Sequence, residues 1–249
     1  MHFSVNREHR EFFRKNFWIE CDDIITPNEQ KSLASGVEKA LGVRLKMKPS
    51  TISQLSPGQI FSVGRNLWLD ETSLKKILLS RNLAEIASEL TEQKPLRIGY
   101  TILFPSLTLN QKQNSGSSYI SFIESMPTLL DMSNIQGVVC GAMLCVSSPK
   151  EENPVICELL TETESLSLDE TPTLFTKKVG NAIFFSPEWP LPLDELKTRD
   201  GYTYLLIVYT QAKAVFIRQE LDPHLHSFKL SGYQFGDRLN DLNNPIVYS

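Results

Sequence analysis

The sequence predicts an α+β chain, mainly β, in which helices near the amino terminus pack on one face of an antiparallel core. Three observations carry this reading. Between Leu174 and Arg218 the chain contains three aromatic or β-branched runs, residues 181–186, 202–210 and 215–217, each bounded by Gly, Pro or a short polar turn. Upstream, Leu96, Ile98, Tyr100, Ile102 and Phe104 alternate with Arg97, Gly99 and Thr101, the period-two pattern of a strand with one face buried. Before Leu96 the apolar spacing is helical instead, and helix-start signals recur.

The elements follow in order. Residues 6–15 form a helix ending in Phe12 and Phe13, and a strand over 17–21 follows. Thr26, Pro27, Asn28 and Glu29 make a capping box with Pro at the first helical position, so a helix begins at Pro27 and runs to about Leu41, with Gly42 placed to end it in a left-handed cap. Residues 43–63, broken by Pro49, Pro57 and Gly58, read as an irregular connection with a short strand at 60–63. Asp70 and Ser80 are placed to cap two further helices, the second carrying Leu83, Ile86, Ala87 and Leu90 as one apolar stripe. After the strand at 96–104, residues 119–123 and 136–146 read as strands, and 147–173 as an acidic surface loop. Residues 1–95 are thus mostly helical, 96–218 form the β core, and 219–249 are a C-terminal extension.

Composition narrows the function. A β-rich chain of 249 residues is expected to be one domain with a substantial core. No apolar run approaches the roughly 18 residues of a membrane span, and the charged start MHFSVNREHREFFRK lacks a secretory apolar segment, so a cytoplasmic location is expected. Cys21, Cys140, Cys145 and Cys157 are few, and two lie among strand residues, which favours buried reduced thiols over disulfides. Cys157 would be the most exposed nucleophile, although no His lies near it in sequence. Net charge is −4 and the compact basic cluster is only Arg44, Lys46 and Lys48, which argues against a nucleic-acid partner. The sequence names neither the small molecule nor the protein that would be the partner.

Two of the four histidines, His224 and His226, sit in the tail. On a strand they would face the same side and, with Asp222, could chelate a metal. Asp222 followed by Pro223 reads better as the start of a short helix ended by Gly232, on which the two imidazoles diverge by about 200°. The following GYQFGDRL is expected to be a turn held by Asp237. Tyr119, Trp189, Tyr202 and Tyr204 are the candidate ligand-binding residues, because aromatic side chains near strand ends can line a pocket as well as fill a core.

The order of elements, with the late GNAIFFSP and YLLIVYT strands, resembles the double-stranded β-helix, or jelly-roll, of the iron and 2-oxoglutarate dependent dioxygenases, especially the phytanoyl-CoA dioxygenase-like group. The resemblance spans residues 12–218 and rests on Gly180, Asn181, Ala182, Ile183, Phe184 and Phe185. It implies a His-x-Asp or His-x-Glu pair and a distal His as iron ligands. Residues 104–130 contain no His, residues 186–193 read Ser, Pro, Glu, Trp, Pro, Leu, Pro, Leu, and residues 202–210 offer no Arg or Lys for a 2-oxoglutarate carboxylate. Glu124, Asp131 and Glu188 would suit magnesium or calcium better than redox iron. The sequence reading is therefore an oxygenase-like jelly-roll that binds a small ligand or a protein without a cofactor and without iron-dependent catalysis. Its alternative is an active Fe(II) and 2-oxoglutarate dependent dioxygenase with non-standard metal ligands.

Overall fold

The computed structural model describes residues 3–107, 118–149, 174–224 and 232–249. Its helices are α1 (Arg7–Asn16), α2 (Pro27–Leu45), α3 (Pro49–Ile52), α4 (Pro57–Val63), α5 (Thr72–Leu78), α6 (Arg81–Thr91) and α7 (Ser118–Glu124). The strands are β1 (Trp18–Cys21), β2 (Leu96–Phe104), β3 (Ile135–Ser147), β4 (Ala182–Phe185), β5 (Thr203–Phe216) and β6 (Ile246–Tyr248). They form one six-stranded sheet in the order β1-β4-β3-β5-β2-β6, and all of its pairings are antiparallel. The α+β class is as expected.

The capping grammar was the most reliable guide. Thr26 accepts a hydrogen bond from the Glu29 amide while Glu29 accepts from the Thr26 amide at 2.9 Å, the reciprocal arrangement that satisfies two orphan donors. The helix does not stop at Gly42, however. It runs on to a left-handed cap at Lys46 (φ 55°), because Arg44 must stay helical to reach the carbonyls of Val63 (2.7 Å) and Asn66 (3.2 Å) and the Asp70 carboxylate. That pairing also takes Asp70 away from capping, and Glu71 caps α5 instead, accepting from the Ser73 amide. Residues 43–63 are not irregular. Ser56-Pro57-Gly58-Gln59 repeats the Thr26 capping box, with Ser56 accepting from the Gln59 amide and Gln59 accepting from the Ser56 amide, and so starts α4 where a strand at 60–63 was expected.

Two further expectations are corrected. Residues 119–123 are helical: Tyr119, Ile120 and Ile123 are buried while Ser118, Ser121 and Glu124 are exposed, which is the period of a helix lying on an apolar surface. Residues 202–210 and 215–217 are not two arms of a hairpin but one continuous strand, β5. Its partner β3 absorbs the irregularity, with register shifts at Gln136/Val138 and Val138/Cys140 around Gly137, whose φ of +99° suits a residue without a side chain. In the tail, Asp222 accepts from the His224 amide at 2.7 Å, closing a turn rather than the first turn of a helix within 222–224, and the Gln234 amide donates to Asp237 as expected. The remainder of the expected tail helix and the 147–173 loop fall largely outside the described residues.

The sheet divides the core in two. On the helical side Leu96, Ile98, Leu205, Ile207 and Tyr209 pack with α2, α5 and α6. On the opposite side Tyr100, Ile102, Phe104, Met143, Ile183, Phe185, Tyr204, Leu206 and Val208 pack with α7 and the chain around Phe175. Consequently β2, expected to have one solvent face, is buried at every residue. Arg97 is buried with its charge met by the exposed Asp241 at 2.5 Å and by the Asn244 carbonyl, to which it donates.

Gly141 marks how tightly the second core is closed. A Cβ there would lie 2.4 Å from the tip of the Phe185 ring and 2.9 Å from Leu129, both fully buried. Gly141→Val should therefore destabilise the protein by about 1–3 kcal/mol of overpacking in urea unfolding, and unchanged stability would show that this core is looser than its contacts indicate.

Candidate functional site

The four aromatic candidates all lie on the non-helical side of the sheet, but the structure brings only two of them into ring contact. Tyr202 stacks on Tyr204 with centroids 6.0 Å apart and planes 14° apart. Tyr204 is buried, donates to the Thr176 carbonyl at 3.1 Å and meets Phe175 edge-on. Tyr119, on α7, donates to the Pro105 carbonyl at 3.3 Å and packs on Phe61 at 4.6 Å. Trp189 is half-buried, stacks on Trp18 and meets Phe185 at a tilt of 54°. Burial drives the Tyr119 and Tyr204 phenols well above their ordinary pKa, so both remain neutral donors.

The chemistry that stands out lies beside them, at the edge of β2. Gly64 and Arg65 follow α4, and the Arg65 backbone bridges to Ile102. Its guanidinium sits 4.1 Å from the centre of the Tyr100 ring, with only 4% of the side chain exposed. One guanidinium nitrogen donates to both carboxylate oxygens of Asp222, each at 2.9 Å, and the Asp222 side chain is wholly buried. The Asn134 amide, at the start of β3, donates to Asp222 at 2.6 Å, and Asn134 in turn accepts from the Gln219 amide at 2.6 Å. His224 closes the group. Its Nε2 is 2.6 Å from the Phe61 carbonyl, which can only accept, so the proton resides on Nε2, and its ring packs 4.8 Å from Phe61. Tyr100, whose phenol burial holds far above its usual range, forms the floor.

This arrangement ties α4, β3 and the chain leaving β5 to one buried carboxylate. Of the metal candidates Asp222, His224 and His226, the first two are adjacent and His226 lies outside the described residues. Asp222 accepts four hydrogen bonds and faces a guanidinium, so both oxygens are engaged and the local charge repels a cation. His224 uses Nε2 as a donor. Among the described residues no three His, Cys, Asp or Glu side chains gather as a metal site. Glu124 instead pairs with Lys197, and Asp131 accepts from the amide and hydroxyl of Thr128. The Asp222–His224 pair therefore does not offer a cation site. Cys21, Cys140 and Cys145 are buried free thiols, and burial pushes Cys21 and Cys145 up to about 12, as inert structural cysteines require. Cys157 lies outside the described residues.

Arg65 and Asn134 were not singled out in the sequence. Asp222 was, but as a helix cap and, in the alternative, as a metal ligand with the tail histidines. Neither residue type carries a local motif, and the signal that unites them is a buried charge needing a partner, which only the fold supplies.

No family model and no curated protein matches the sequence. Solved structures do match the fold. The non-heme alpha ketoglutarate dependent carbocyclase SnoK from nogalamycin biosynthesis aligns with a TM-score of 0.59 at 12% identity, over 95% of this chain and 94% of its own. The non-heme alpha ketoglutarate dependent epimerase SnoN from the same biosynthesis aligns at 0.58 and 11% identity, over 96% and 97%. This chain has an oxygenase-like fold. SnoN has also been crystallised in complex with Fe3+, alpha ketoglutarate and nogalamycin RO, and that structure matches at a TM-score of 0.59. The expectation of no cofactor is thereby corrected. It rested on where histidines fall along the sequence, which tests one ligand pattern and not what a fold of this shape holds.

Removing Asp222 alone should be costly, since Asp222→Ala strands a buried guanidinium: a loss of about 3–5 kcal/mol in urea unfolding is expected. The double variant Arg65→Met, Asp222→Leu should recover much of it, and a loss below about 1 kcal/mol for Asp222→Ala would show that the pair is not buried as described. Iodoacetamide at pH 8 should leave Cys21, Cys140 and Cys145 unmodified in the folded protein and label all three in urea, as read by peptide mass mapping. The raised thiol pKa values keep the thiolate scarce until far higher pH, so rapid native labelling of any of the three would contradict their burial.

Proposed function

We propose that this chain is a jelly-roll oxygenase that uses a metal ion and 2-oxoglutarate, with metal ligands that depart from the His-x-Asp/Glu and distal His pattern. One observation supports the reading: the likeness to SnoK and SnoN runs nearly end to end in both partners, so helices and sheet are shared as a whole and not as a fragment. The support comes from the fold and not from a ligand set, and no reaction step is assigned to the described side chains. The commitment of Asp222 to Arg65 favours a second reading, a small-ligand or protein-binding module that keeps the oxygenase fold without turnover.

Anaerobic addition of ferrous iron and then 2-oxoglutarate separates the two. The proposal expects a metal-to-ligand charge-transfer band in the visible that grows with 2-oxoglutarate and bleaches on admitting oxygen, with release of succinate. A protein that takes up neither metal nor 2-oxoglutarate would overturn it, and 2-oxoglutarate binding without oxygen-dependent succinate would establish the second reading.

A further inference from the structure

A cavity of about 380 Å³ opens on the helical side of the sheet, across β2, β3 and β5 from the aromatic core and the Arg65–Asp222 pair. Pockets that hold small molecules measure about 300–1,000 Å³, so its size suits a short ligand. Three walls enclose it. Helix α2 contributes Val37 and Leu41, the bend through α3 contributes Ile52 and Leu55, and the strand ends contribute Leu103 and Val146.

The lining is chemically uniform in a way that selects a ligand. Its apolar members are branched aliphatic residues, one alanine and three prolines, and no aromatic ring is among them, although the chain has 23 Phe, Tyr and Trp. Such walls present no flat face for ring stacking and fit a flexible saturated chain. The polar groups lie at Ser53, Ser106, Ser147 and Thr203, all hydroxyls, together with one ionised side chain, the exposed carboxylate of Glu38. Among the described residues no lysine, arginine or histidine lines the cavity and no ion pair engages Glu38. Among the described lining residues an anionic head group would meet a like charge and no cation, whereas an ammonium group would find a carboxylate and, in the same lining, hydroxyl acceptors.

We propose that this cavity is a binding site for a linear aliphatic amine, with the alkyl chain between α2 and the sheet and the ammonium group at Glu38. The site is separate from the oxygenase reading and stands or falls without it.

Calorimetric titration of the full chain with octylamine, octanol and octanoate tests the proposal. Octylamine should bind one to one and octanoate at least ten-fold more weakly, with octanol between them. Lengthening the amine from hexyl to octyl should tighten binding about four-fold per methylene, the equivalent of about 0.8 kcal/mol for each CH2 taken from water. Glu38→Gln should weaken the amine about two- to five-fold, as removal of an exposed charge partner does, and leave octanol unchanged. Ala34→Phe, on α2, and Ser53→Phe, on the exposed rim, each project a ring into the cavity, and either one, if folded by circular dichroism, should abolish binding. Octanoate binding as tightly as octylamine, an affinity indifferent to chain length, or amine binding unaltered in both Phe variants would overturn it.

Discussion

Strand β5 is hydrogen-bonded along both edges, to β3 and to β2, and from Tyr204 to Thr210 it is buried on both faces. A strand so placed can contribute neither a free edge nor a solvent face, so its alternating side chains must feed two separate cores. Leu205, Ile207 and Tyr209 serve the helical one, while Tyr204, Leu206 and Val208 serve the aromatic one. The amino-terminal helices are on one side because their apolar stripes need the first set. Helix α7 and the segment around Phe175 are on the other because the second set would otherwise face water. The chain then leaves β5 at Phe216 and delivers Asp222 onto Arg65, so the buried ion pair is a consequence of where this strand ends.

That pair decides what the neighbouring residues can do. A buried carboxylate that accepts four hydrogen bonds is expensive to expose and poor at holding a cation, and a buried guanidinium stacked on Tyr100 is expensive to leave alone. The pair's value is geometric: it fixes the end of α4, the start of β3 and the post-β5 chain relative to one another. The tail histidine next to it, His224, is drawn into the same lattice through the Phe61 carbonyl. What looks in one dimension like a chelating Asp-x-His-x-His run is, for its first two members, a latch.

Where the sequence could be read, it was because local chemistry and tertiary structure agreed. Thr26 and Glu29 cap α2, the alternation from Leu96 is a strand, and the apolar run through Cys140 and Met143 is β3. Readings failed where a distant residue overrode a local preference. Gly42 would end a helix in isolation, but Arg44 beyond it anchors to Val63 and Asn66; Asp70 would cap a helix but is bound to Arg44. The sequence Tyr-Ile-Ser-Phe-Ile has strand propensity, yet it lies as a helix because the surface beneath it buries positions one and four apart. Ser56 to Gln59 was a legible signal that went unread, since the proline-rich context argued for a loop. Of the candidate site, Tyr119 and Tyr204 were visible as aromatics, whereas the Arg65–Asn134–Asp222 grouping joins residues up to 157 positions apart and leaves no local trace.

The fold places this chain beside enzymes that work with a metal and a 2-oxo acid, while its described side chains spend their best-placed carboxylate on an arginine. Both observations are met if, as proposed, a metal and 2-oxoglutarate bind through ligands other than Asp222. The most direct measurement is an anomalous-scattering map of crystals grown with manganese, as a redox-inert stand-in for ferrous iron, together with 2-oxoglutarate. The account predicts a single metal peak with 2-oxoglutarate against it and Asp222 still paired with Arg65; an empty map, or a peak seated on Asp222 with the Arg65 pair broken, would contradict it.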